Sequence, residues 1–559
     1  MRLPRDIELC THIVTLLLLT ALQGVQVALA DPSPLVRPDA PALADGALDT
    51  EDLVRRGARI GQIHVRIDDV FEQESDLAAP YRLANSLHIA THEQTILQQL
   101  LFRTGDVYDT RVVGESERLL RAQRYLNDAT ITPLHYNDDN TVDVLVRVHD
   151  VWTLSPGISF GRKGGENSAG LKFEDANFLG LGKQIAAART SDVDRDAWRL
   201  GYIDPNVLGT RWRLSAAYSS TSDGDERLLA FGRPFYSLDS RWSTNLALAD
   251  TTSAVPRYSY GELVEEIGMR ERSFELGGGI SSGLSNGRAT RYLAGFTYDS
   301  RRFSPVSDYS TATLPEDRVL AYPWVGVEII EDSYVNTRNL DQIGRIEDLH
   351  LGRAARLQAG FASTLLGATR DALVLSGSAQ SGMDFGSKQY WLNNVNFDGR
   401  LEEGDLIDAR LEVGSRYYFR HSPRRVSFAA VTGTLTRELD PEEQLLLGGD
   451  SGLRGYPLRY QAGTANALLT LEERFYTNWQ PLKLVNVGAA VFMDAGRAWG
   501  HDPYSDPPAG WLCDVGFGLR LGSIRSGLGN VLHIDLAFPL NAPDGIDAVQ
   551  LLVETRKSF

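Results

Sequence analysis

The sequence predicts a membrane-spanning antiparallel β-barrel of about sixteen strands, preceded by a signal peptide and one small α/β domain of order β-α-α-β-β. Three observations predict it. The chain opens on a short apolar run with an export-type cleavage pattern. Residues 60–150 then switch between strand and helix periodicities. From residue 151 to 559 short alternating stretches follow one another with almost no helical pattern.

Arg2 and Arg5 precede the apolar run Ile13–Leu22, and Ala28-Leu29-Ala30 has the small-x-small form of a cleavage site. The run is too short for the ~20 residues of a spanning helix. Residues 1–30 therefore read as a signal peptide. Residues 31–59, rich in Pro, Ala and Asp, read as a linker.

Residues 60–150 read as a compact domain. Ile63, Val65 and Ile67 alternate with polar neighbours, as a half-buried strand does. Thr91 and Gln94 have the spacing of a capping box, with Ile96, Leu97, Leu100 and Leu101 on one helical face. Asp109 can cap a second helix carrying Val112, Leu119 and Leu120. Thr130–Tyr136 reads as a strand, and Val142, Val144, Val146 and Val148 mark a final one. Residues 68–87 read as an extra loop.

Residues 151–559 read as the barrel. Trp212, Leu214, Ala216 and Tyr218 alternate with Arg211, Arg213 and Ser215. The sharpest case sets Val485, Val487, Ala489, Val491, Met493 and Ala495 against Asn486, Gly488, Phe492, Asp494 and Gly496. A secreted soluble β-protein would alternate too. The number of such stretches, the charges on their polar faces, and Trp and Tyr at their ends favour lipid on one side and a wet lumen on the other.

Composition excludes other classes. Lys+Arg is 56 and Asp+Glu 73, so the net charge is 56 − 73 = −17, which argues against nucleic acid. The mean hydropathy of −0.22 suits a helical membrane protein badly but leaves a barrel untouched. Of two cysteines, Cys10 lies in the signal and Cys513 is left alone, so neither an intrachain disulfide nor a cysteine metal site is expected. The ten histidines lack ligand spacing. Gly-x-Ser triplets lack the strand-to-helix elbow of a serine nucleophile. No enzyme activity, metal or cofactor is expected.

One segment is unusual. Leu447-Gly448-Gly449-Asp450-Ser451-Gly452-Leu453-Arg454-Gly455-Tyr456 is a glycine-rich loop carrying a single arginine. Further on, Phe492, Asp494 and Gly496 share the polar, lumen-directed face of their strand. An arginine confined in a lumen needs a carboxylate partner, and Asp494 is placed to offer one.

On these residues the chain resembles the bacterial surface antigen superfamily: the BamA/TamA-like outer-membrane proteins and the two-partner secretion transporters. Arg454-Gly455-Tyr456 is similar to that family's arginine-glycine-aromatic loop motif, and Phe492, Asp494 and Gly496 match its Phe-x-Asp-x-Gly strand motif. More loosely, Glu174, Asn177, Gly180 and Gly182 look like the opening of the family's barrel, Tyr202-Ile203-Asp204-Pro205 like an early strand end, and Glu472-Glu473-Arg474-Phe475 like the strand after the loop. Phe559 matches a barrel-targeting C-terminus, and residues 60–150 look like one POTRA domain.

The resemblance implies a loop folded back into the barrel, with Arg454 meeting Asp494 there. It implies a location in the cell outer membrane, with the N-terminal domain in the periplasm. The implied activity is insertion of polypeptides into that membrane or their passage across it. The implied partners are outer-membrane lipid, polypeptide clients held by the POTRA-like domain, and periplasmic chaperones or lipoproteins. A passive pore plugged by the loop, or a surface-exposed structural barrel, is the alternative. A single POTRA-like domain, where the family's insertases carry several, leaves the client class open.

Overall fold

A computed structural model describes residues 49–71, 81–82, 85–86, 88–306, 313–386, 388–505, 510–527, 530–543 and 545–556. The signal-peptide reading of residues 1–30 and the targeting reading of Phe559 lie outside the described residues.

From Arg59 to Asp150 the N-terminal domain runs in the expected β-α-α-β-β order, with one further helix ahead of it. Helix α1 (Thr50–Arg55) leads to β1 (Arg59–Asp68), then α2 (Glu93–Leu97), α3 (Thr110–Arg121), β2 (Leu126–Tyr136) and β3 (Thr141–Asp150). The sheet order is β1-β3-β2, parallel between β1 and β3 and antiparallel between β3 and β2. Alternation on β3 sends Val142, Val144, Val146 and Val148 into one fully buried core with Ile60, Ile96 and Leu120. Asp109 caps α3 through the N–H groups of Arg111 and Val112.

Two readings are corrected. The end of the 31–59 linker is helical, because Asp49 caps α1 and Leu53 is buried in the domain core. Thr91 is no capping residue. Its backbone N–H and hydroxyl both donate to Asp150, at 2.8 and 2.7 Å, and α2 starts at Glu93 without a side-chain cap.

The barrel closes with 20 strands, not about sixteen. All its neighbours pair antiparallel, from Leu154–Lys163 round to Gln550–Arg556. The difference lies in the connections, several of which are only two residues long. Gly164-Gly165, Tyr260-Gly261, Asn286-Gly287 and Glu403-Gly404 all have positive φ at both positions. This is the tight-hairpin conformation whose twist matches that of the strands, and turns this short leave length for extra strands. The outward faces carry exposed apolar side chains, Ile158, Ile280, Val325 and Leu357 among them, as a lipid-facing band does. Among the described residues no helix is long and apolar enough to cross a membrane.

The domain sits at one mouth of the barrel. His92 N–H and the Thr95 hydroxyl donate to the Gly180 carbonyl at 2.9 and 3.0 Å, and Asn177 donates to Thr91 at 2.8 Å. Arg211 donates to the Leu100 carbonyl at 2.7 Å, and Leu238 N–H to Glu115 at 2.8 Å. Glu174, Asn177 and Gly180, noted in the sequence as a barrel-opening pattern, thus belong to the turn region that carries the domain.

Candidate functional site: a lumen closed from both ends

The segment between the strands Arg425–Arg437 and Ala465–Tyr476 folds back into the barrel. A short hairpin, Leu445–Leu447 against Gln461–Gly463, forms its neck. Leu447, Leu453 and Tyr456 bury together with Ala498 and Leu512 of the wall. Gly496 makes room for this apolar base, since a Cβ there would lie 3.2 Å from Leu447, Leu453 and Leu468.

Arg454 stands at the tip, 1% exposed. Its Nε and Nη2 donate to the two carboxylate oxygens of Asp494 at 2.6 and 3.0 Å. Its Nη1 donates to Glu472 at 2.7 Å and to Asp535 at 3.3 Å. The guanidinium lies 3.4 Å from the centroid of the Phe492 ring, a cation–π contact on one face. Gly455 N–H donates to Asp514 at 3.0 Å, and a Cβ on Gly455 would come within 2.6 Å of the Asp514 Cβ. The Tyr456 hydroxyl contacts the Cys513 carbonyl at 2.9 Å and Asn541 at 2.7 Å. The expected Arg454–Asp494 contact is present, with Phe492 against the guanidinium; Gly455 and Tyr456 bond to Asp514 and Cys513 of the wall, and Gly496 faces the apolar base of the loop.

Sequence reasoning missed the rest of the cluster. Glu472 was read only as part of a strand resemblance, yet it bridges three arginines. It accepts from Arg454, from Arg474 Nε at 2.8 Å and from Arg520 at 3.2 Å. Asp514, Asp535 and Arg520 received no role. Their signal was alternation: Asp514 and Arg520 lie an even number of residues apart on Leu512–Gly522, and Asp535, opposite Gly518 on the next strand, has the same parity and meets Arg520 through its side chain. Four buried carboxylates thus meet three buried guanidiniums. Burial on this scale is tolerable only when nearly every charge is matched.

A second element closes the other mouth, and the sequence reading did not contain it. The connection from Arg318–Glu331 to Arg353–Ala362 holds a hairpin, Tyr334–Arg338 paired with Ile346–His350. Its tip enters the lumen. Leu340 and Ile343 pack in a buried cluster with Tyr390, Tyr418, Phe428 and Tyr476 of the wall. The Tyr418 hydroxyl donates to Asp341 at 3.0 Å, and Arg474 donates to the Leu340 carbonyl at 2.5 Å. The base of the hairpin is tied to the N-terminal domain. Arg121 of α3 forms a two-pronged pair with Asp348 at 2.8 and 2.6 Å, and Arg118 meets Asp332 at 3.2 Å. Polar contacts therefore run from α3 through the hairpin to Arg474, Glu472 and Arg454.

The hairpin carries a titrating group. Glu347 accepts from the N–H groups of Leu340, Asp341 and Gln342 at 2.8, 2.9 and 3.3 Å. Burial, then the neighbouring Asp341 carboxylate, push it up to about 7. Raising an acid's pKa in the docked state means that docking takes up a proton. The resulting stabilisation is complete below the ordinary value of 4.5 and is lost as pH rises through about 7. We predict that channel openings of the purified protein in planar bilayers become more frequent between pH 5 and pH 8, and that Glu347→Gln flattens this dependence. An equally steep dependence in the variant would remove Glu347 from the account.

Fold and site together define a transmembrane β-barrel whose lumen is filled by an inward-folded, arginine-bearing loop. Residues 355–554 match the Omp85 superfamily domain. A protein of Treponema pallidum (strain Nichols), named as an outer membrane protein assembly factor, is 26% identical over 126 residues. That match covers 22% of this chain and 15% of the relative, far less than two thirds of the relative's length. Among solved structures, BamA from Haemophilus ducreyi lacking POTRA domains 1–3 shares 13% identity, with 88% of this chain and 84% of that one covered and a TM-score of 0.37. CdiB from Acinetobacter baumannii shares 12% identity, with 89% and 73% covered and a TM-score of 0.43.

Proposed function

We propose that this protein is an outer-membrane barrel of the assembly/translocation type, which inserts polypeptides into the membrane or passes them across it. Residues 60–150 act as a POTRA-like periplasmic domain that captures extended clients on a sheet edge, β1 or β2. Arg454, Gly455 and Tyr456, held by Phe492, Asp494 and Gly496, brace the lumen while the client is handled.

The observation that carries this reading is the seam. Among the described residues the first and last barrel strands share one register pair, Val553 with Arg162, whereas every other neighbouring pair shares at least seven. A Lys163–Glu554 ion pair helps hold the two edges. Unpaired edge groups on either side of so short a ladder can accept an incoming strand. A passive channel fits less well, because both the loop and the hairpin occupy the lumen.

The reading is tested by folding of an unfolded β-barrel client into vesicles containing the full chain. We expect faster client folding than in empty vesicles. A disulfide between Arg162→Cys and Val553→Cys should abolish the acceleration until it is reduced. Solute flux without any effect on the client, or acceleration indifferent to the locked seam, would overturn the proposal.

A further inference from the structure

Apart from the lumen, the outer surface of four adjacent strands changes from apolar to charged side chains along their length. These strands are Gly224–Arg233, Trp242–Ser259, Glu262–Ser285 and Arg288–Pro305. Near the mouth that holds the N-terminal domain, Trp242, Ile280 and Tyr292 form an exposed outward row in register. Four residues along, Phe231, Leu246, Leu276 and Phe296 form a full row across the four strands, and two residues further Leu229, Leu248, Phe274 and Tyr298 form another. Immediately beyond it the chemistry changes. Arg227 faces Asp250, Asp250 faces Arg272, and Arg270 faces Arg302.

All four arginines are exposed. Two carboxylates answer them in part. Arg270 forks onto Asp250 at 3.0 and 2.8 Å, Arg272 lies 3.4 Å from Asp250, and Arg227 lies 3.1 Å from Asp225. The patch keeps an excess of two positive charges on a chain whose net charge is −17. One strand further on, Ser220 sits opposite both Asp225 and Trp198, and Arg189 stacks 5.4 Å from the exposed Trp198 ring. That amphipathic pair suits an interface.

The height of the row fits the edge of a bilayer. Arg272 is eight residues from Ile280 along one strand. At ~3.3 Å per residue and a tilt of ~40° this is about 20 Å of height, close to the ~25 Å apolar band of such barrels. Arg270 and Arg302 then stand just beyond the hydrocarbon, on the side away from the N-terminal domain.

We propose that Arg227, Arg270, Arg272 and Arg302 form a docking site for a phosphate-bearing lipid headgroup of the leaflet distal to the N-terminal domain. Guanidiniums grip phosphate through paired N–H donors and are weakly hydrated, so they suit an interface that is half dry. The Leu229–Tyr298 row below would lie against the acyl chains of the same lipid. A bound lipid would thereby anchor the tallest wall of the barrel against tilting and fix its depth.

The test is native mass spectrometry of the full chain in detergent, with a diphosphorylated glycolipid and with the same glycolipid stripped of phosphate. We expect retention of the phosphorylated lipid only, weakened roughly thirtyfold by Arg270→Gln with Arg302→Gln. The unheated gel mobility of the variant should be unchanged, because both side chains are exposed. Equal retention of the stripped lipid, or no loss in the variant, would overturn the site. Displacement by equimolar inorganic phosphate would show a bare anion site and overturn the lipid assignment. No arm involves a polypeptide client, so this proposal and the proposed transport function fail independently.

Discussion

Replacing Arg454 by alanine is expected to destabilise the barrel by about 3–5 kcal/mol, because the partners left behind are buried carboxylates. Asp494, Glu472 and Asp535 have no exposed surface to rehydrate if the guanidinium is removed. Arg474 and Arg520 still reach Glu472 and Asp535, but neither lies against Asp494. The loop should leave the lumen, carrying Gly455 and Tyr456 away from Asp514 and Cys513. Arg454→Lys keeps the charge but cannot form the fork onto Asp494, so it should fall between the parent and alanine. Asp494→Asn should cost less than Arg454→Ala, because Glu472 and Asp535 still hold the arginine. The measurements are the temperature at which the unheated gel mobility is lost and the conductance in planar bilayers. A parent-like Arg454→Ala in both would mean that the cluster does not hold the loop.

Separating the hairpin from the N-terminal domain should open the other end. Arg121 is almost fully buried and Asp348 partly so, and they share two hydrogen bonds. Reversing one charge replaces that pair by two like charges. At about 2–5 kcal/mol for a buried pair, the ratio of closed to open states should drop roughly thirtyfold or more. Asp348→Arg and Arg121→Glu should each raise conductance, and the double reversal should restore it. Deleting residues 339–345 removes Leu340, Asp341 and Ile343, and should raise conductance whatever happens at Arg121. If the single reversals conduct more but the double variant does not recover, the effect is general damage. If the deletion leaves conductance unchanged, the hairpin does not obstruct the lumen.

The two elements were unequally legible, for a physical reason. The Arg454 loop announced itself because a lone arginine among glycines is improbable unless something nearby requires it, and alternation placed Asp494 on the inner face. Glu472, Asp514 and Asp535 sit on inner faces by the same parity, but parity supplies an inside and an outside, not a height. Their meeting depends on strand register, and register is set by turns and shear that leave little trace in any one strand. The hairpin was illegible for another reason. Leu340, Asp341 and Ile343 lie in a segment without strong periodicity, and whether a connection hangs outside a barrel or enters it depends on the wall it meets.

The amino-acid sequence by itself determined the classes of element: a small α/β domain, then many alternating strands with one polar face, and an arginine on a glycine-rich loop. Periodicity and turn chemistry are local, so they survive reading one residue after another. Only the tertiary structure decided the number 20, the thin seam at Val553 and Arg162, the four-carboxylate cluster, and the insertion of residues 334–350 beneath Tyr418 and Tyr476. These are long-range pairings, fixed by closure of the sheet on itself and by the need to match each buried charge.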